Sequence, residues 1–110
     1  MTVREMVHEA QVTLRGELTP TDARALLVRL SSLLGNCNDE CREADLAYAH
    51  VLLAAYGTEE TANRATIRAQ CSPEYARLRV AKDTRALVLE MSRSLKAYLR
   101  SLDEEMRLAK

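Results

Sequence analysis

Residues 35–41 read GNCNDEC, seven positions holding one glycine, two asparagines, two carboxylates and two thiols. Such a stretch is either a polar turn carrying a metal or redox site, or the middle of a helix. The choice decides the fold, because TPTDARALLVRLSSLL before it and READLAYAHVLLAAYG after it both have helical periodicity. On a wheel with successive residues about 100° apart, Ala23, Leu26, Leu27, Leu30, Leu33, Leu34, Cys37, Cys41, Ala44, Tyr48, Val51, Leu52 and Ala55 fall in one stripe. That stripe crosses residues 35–38 without a jump of phase, whereas an inserted loop resets the phase. Gly35, Asn36 and Asn38 fall outside it, where each costs at most about 1 kcal/mol of helix propensity and nothing in packing. The pattern therefore predicts one helix over about 20–56, roughly 37 residues and 55 Å long.

Its start is written in LTPTDARALL: Thr19 at the N-cap, Pro20 at the first helical position and Asp22 in the first turn, where a carboxylate faces the unpaired N–H groups. Upstream, Thr2 and Glu5 have capping-box spacing, and Val3, Met6, Val7, Ala10 and Leu14 predict a helix over 3–15 that ends at Gly16. Downstream, Gly57 reads as a terminator and Thr58 as the cap of a short polar helix over 59–70. Ser72, Pro73 and Glu74 repeat the opening device, and no breaker follows. A last helix over 73–109 has Val80, Ala81, Leu87, Val88, Met91, Leu95, Tyr98, Leu99, Leu102, Met106 and Ala109 as its apolar face. Two long amphipathic helices joined by about 16 residues return antiparallel.

Length and composition agree. A chain of 110 residues is expected to form one domain, 1–110. Three glycines, two prolines and no tryptophan or phenylalanine mark an all-α protein with an aliphatic core. The expected architecture is a helical hairpin or bundle. Its stripes are wider than two helices cover, which implies completion by a homodimer. No apolar run reaches the roughly 20 residues of a membrane span, and MTVREMVHEA lacks a signal-peptide pattern. With three cysteines in no framework spacing, the expectation is a cytoplasmic protein with free thiols.

The zero net charge hides a segregation: residues 1–60 hold 5 basic and 10 acidic groups, residues 61–100 hold 9 and 3. On the last helix Arg79, Lys82, Arg85, Arg93, Lys96, Arg100 and Arg107 share an arc of about 120° beside or opposite the apolar face. Arg64 and Arg68 on the short helix extend it. Such an arc is a candidate surface for an acidic partner or for the phosphates of a nucleic acid. Asp83 and Glu90 stand at pairing distance from Arg79 and Arg93, and no aromatics interleave to stack bases, which favours solvated or intramolecular pairing. Asp39, Glu40, Glu43 and Asp45 spread round the polar arc without a calcium-loop pattern; they read as a solvated face or as a dock for a basic partner such as the last helix. Cys37 and Cys41 lie four apart on one face, but both sit in the apolar stripe with His50 on the opposite side. They read as small core residues before they read as metal ligands. No phosphate loop, nucleophile motif or acid–base constellation is present, so the expectation is a non-enzyme without cofactor or small-molecule substrate.

SPEY at Ser72–Tyr75 and RSLKAYLRSLDE at Arg93–Glu104 resemble segments of small all-helical proteins encoded by bacteriophages and prophages, a likeness covering about two thirds of the chain. The resemblance implies an all-helical fold and an accessory role, in some members near replication and recombination. It transfers no functional residue.

Overall fold

In the computed structural model, described for residues 2–16 and 18–109, the chain forms α1 (Val3–Arg15), α2 (Pro20–Thr58), α3 (Ala62–Gln70) and α4 (Pro73–Leu108). The GNCNDEC stretch is helical throughout, and no residue around it departs to positive φ. Gly35 is exposed with open space where a Cβ would stand. Its missing side chain leaves no gap in any core, which is why one helix runs on for 39 residues.

The hydroxyl caps form where the sequence puts them. The Glu5 N–H donates to Thr2 Oγ1 (3.2 Å), the Asp22 N–H to Thr19 Oγ1 (3.1 Å) and the Tyr75 N–H to Ser72 Oγ (3.3 Å). Each satisfies one N–H that the first helical turn leaves unpaired. The junction of α2 and α3 differs from expectation. Gly57 does not end α2; the helix runs to Thr58, whose hydroxyl donates back to the Ala55 carbonyl (3.3 Å). Thr58 thus closes α2, and the cap of α3 is Thr61, which accepts from the Arg64 N–H (3.2 Å).

The helices assemble as two compact units, Met1–Asn36 with Ala86–Lys110, and Cys37–Arg85. In the first, Val7 and Ala10 of α1, Ala23, Leu26, Leu30 and Leu33 of α2, and Val88, Met91 and Leu95 of α4 are buried. The Tyr98 hydroxyl donates to the Leu18 carbonyl (3.1 Å) across that core's edge. In the second, the buried set is Cys37, Ala44 and Ala55 of α2, Ala65 and Ala69 of α3, and Leu78 and Ala81 of α4. Cys41 and Tyr48 pack against the cluster of Ala44, Leu78 and Ala81. Within this unit Asn38 meets Arg85 and Glu40 meets Arg77, so residue numbers fall along α4 as they rise along α2: the segments are antiparallel.

Every residue assigned to the α2 stripe is buried or half-buried. On α4 the assignment needs correction at Leu78 with Val80, and again at Tyr98, Met106 and Ala109. Leu78 is in the core and Val80 is 39% exposed, because the buried line on α4 is not straight: Leu78 lies about 100° round the helix from Leu95. Tyr98 is 38% and Met106 65% exposed, and Ala109 lies beyond the helix end. Tyr98 already stands level with Leu18, ahead of the start of α2, so the last turns of α4 have no α2 beside them.

Candidate functional site

Chemistry-bearing groups gather at one place in the Cys37–Arg85 unit, where the acidic stretch of α2 meets the start of α4. Arg77 Nε donates to Glu40 Oε1 (2.8 Å) and its Nη2 to Glu40 Oε2 (3.2 Å), a two-pronged grip on one carboxylate, with Glu43 Oε2 at 3.5 Å. This hydrogen bonding holds the Glu40 carboxyl below the usual carboxylate range and raises the Arg77 guanidinium further. Arg85 Nε donates to Asn38 Oδ1. The acidic residues therefore do meet α4, through Glu40 and Glu43. Arg77, which makes the contact, lies outside the basic arc read from the sequence; only pairing across helices distinguishes it from the solvated arginines around it.

Of the seven residues in that arc, all are exposed. Arg85 is engaged by Asn38, and Arg93 Nη1 pairs with Glu90 (3.2 Å). Arg79, Lys82, Lys96, Arg100 and Arg107 make no ion pair among the described residues, and the spacing of Arg79 and Asp83 does not produce one. On α3, Arg68 turns to Glu59 (2.7 Å).

The cysteines are all free: Cys37 buried, Cys41 half-buried, Cys71 exposed. Burial pushes the Cys37 thiol up, the neighbouring Cys41 adds to this, and Arg85 pulls the other way. A buried thiol held neutral behaves as a small hydrophobe. Among the described residues no three His, Cys, Asp or Glu side chains gather as metal ligands would. An apolar hollow of about 330 Å³ lies near the end of α2, lined by Val51, Ala54, Ala55, Thr58, Arg68, Ala69 and Ser72. Its one charged group, Arg68, is already paired with Glu59.

A second set of residues escaped the sequence reading. On α2, Leu46 is 61% exposed, Leu53 70% and Tyr56 46%, with Ala49 also exposed. They lie on the side of α2 turned away from its buried stripe. Their 3-4-3 spacing was visible in DLAYAHVLLAAYG, but the stronger Ala44–Tyr48–Val51–Ala55 series overlays it. Among the described residues no helix is long and apolar enough to cross a membrane. Compared with known proteins, the chain matches no family model, no curated protein and no solved structure.

Proposed function

We propose that the chain is a non-enzymatic helical interaction protein, acting through protein–protein contacts in the cytoplasm, of the kind that small phage-encoded accessory proteins provide. The observation that carries this reading is the exposed apolar face of α2 at Leu46, Leu53 and Tyr56. With Ala49 between Leu46 and Leu53, these side chains stand three and four apart on one side of the helix, and apolar seams of this kind mark protein-binding surfaces. Leu46→Lys combined with Leu53→Lys should abolish capture of the chain's partners in affinity purification while leaving helicity unchanged. Recovery of the same partners by both forms would remove the basis of this reading.

A second reading is favoured by a different observation: Arg79, Lys82, Lys96, Arg100 and Arg107 are exposed with no ion pair among the described residues. It is a nucleic-acid accessory protein of replication or recombination, using the basic face of α4. Binding to labelled single or double strands at about 50 mM salt should then weaken steeply with added salt and disappear on reversing Arg93, Lys96 and Arg100 to Glu. Absence of binding at low salt rejects it.

A further inference from the structure

We infer that the partner of the outward α2 face is a second copy of this chain, docked antiparallel along Arg42–Glu60. The inference rests on the interaction reading above and identifies the partner. On α2, Arg42, Leu46, Ala49, Leu53 and Tyr56 succeed one another at intervals of four, three, four and three residues, and Glu60 follows two residues beyond the helix end at Thr58. The five on the helix have the spacing of a coiled-coil seam, and all six residues are exposed. The series is complementary to itself when reversed. Turning a second copy end over end about a twofold axis sets Leu46 opposite Tyr56 and Ala49 opposite Leu53, and brings Arg42 past the end of the other copy's α2, where Glu60 follows, each contact occurring twice.

Size and charge both match in that arrangement. The small Ala49 leaves room for the Leu53 of the other copy, so the helices approach closely at the centre and the apolar pairs close over it. A parallel arrangement sets Arg42 against Arg42 and Glu60 against Glu60, which repel; the antiparallel one replaces these by two attractive pairs at the rim. Glu60 makes no ion pair among the described residues, whereas its neighbour Glu59 is held by Arg68 at 2.7 Å. Arg42 has only a loose contact with Asp39, 3.7 Å long between side chains 80% and 70% exposed. Exchanging that contact for one across the twofold sacrifices little.

Sedimentation equilibrium of the chain should give twice the 12.4 kDa chain mass at micromolar concentration. Leu53→Lys should weaken association at least a hundredfold, with the far-ultraviolet circular dichroism of the folded chain retained, because the side chain touches no core. Arg42→Glu and Glu60→Arg should each weaken association several-fold, and the double reversal should restore it. These rim variants do not endanger folding, so they keep the test sharp if Leu53→Lys lowers stability. A chain that stays monomeric at 100 µM overturns the second copy as partner; partners captured by the wild type and lost in Leu46→Lys with Leu53→Lys would show that the interaction reading stands without it. A dimer indifferent to Leu53→Lys overturns the placement. A dimer in which the double reversal fails to restore affinity overturns the antiparallel pairing.

Discussion

The two units solve the same problem with different side chains. In Met1–Asn36 with Ala86–Lys110 the helices bury large aliphatics, with Leu30, Val88 and Leu95 at 1% exposure or less. In Cys37–Arg85 the buried set is mostly alanine, with one cysteine and one leucine, and the tyrosines Tyr48 and Tyr75 meet at 5.2 Å between ring centroids. Large side chains hold helices through the apolar area they remove from water, at about 25 cal/mol per Å². Small ones bring backbones close, gain less per residue and leave fixed, narrow gaps. The alanine-rich unit adds polar contacts between helices, the Arg77 grip on Glu40 above all. The difference teaches that one uninterrupted stripe on α2 serves two kinds of packing, separated at Asn36.

The largest test of the contrast is a charge in the leucine-rich core. Leu30→Asp or Leu95→Asp should unfold the protein, because each buries an unpaired carboxylate at a fully enclosed position. Thermal melts that keep full helicity would show the helix phases to be wrong. Next comes size. Leu30→Ala should cost about 2–5 kcal/mol as a cavity, whereas in the other unit Ala44→Leu should cost about 1–3 kcal/mol by overpacking. Denaturant midpoints measure both. If Ala44→Leu stabilised the protein, the fully buried surroundings of Ala44 would have room for a larger side chain. Near the middle of α2, Gly35→Ala should stabilise by about 0.5–1 kcal/mol, since the added methyl group meets nothing within 4 Å.

The smallest effect is electrostatic. The native carboxyl of Glu40 titrates below its unfolded value, so the pairing contributes stability above the ordinary carboxylate range and loses it as the pH falls through the depressed native value. Glu40→Gln should flatten that acid limb slightly, because both partners are well exposed to solvent. The thiols give a matching readout: iodoacetamide should modify Cys71 first, Cys41 next and Cys37 last, following their exposure. An early reaction at Cys37 would show the alanine-rich unit opening without the other.

What was legible in the sequence follows from which forces are local. The stripe from Ala23 to Ala55 and the caps at Thr2, Thr19 and Ser72 depend on neighbours within four residues, and all are found in place. Leu78 and Val80 exchanged roles because the face α4 buries is chosen by helices distant in the chain, and a single straight stripe cannot describe it. Arg77 was hidden for the same reason: its partners Glu40 and Glu43 lie 37 and 34 residues away. The Leu46–Leu53–Tyr56 seam was obscured by a second periodicity on the same helix. Gly57 misled because its φ stays negative, so it does not make the left-handed turn by which a glycine commonly caps a helix, and α2 runs on to Thr58.

The division of the chain bears on how it is made. Cys37–Arg85 is one contiguous length, so every contact inside it is available once residue 85 has left the ribosome. The leucine-rich unit is discontinuous, and its Tyr98–Leu18 contact closes a separation of 80 residues. Its first part must wait, greasy side chains uncovered, until Ala86 and the residues after it are made. The nascent chain thus emerges with its stickiest third unsheltered, and the order of translation, more than final stability, sets when it is most exposed to chaperones and to aggregation.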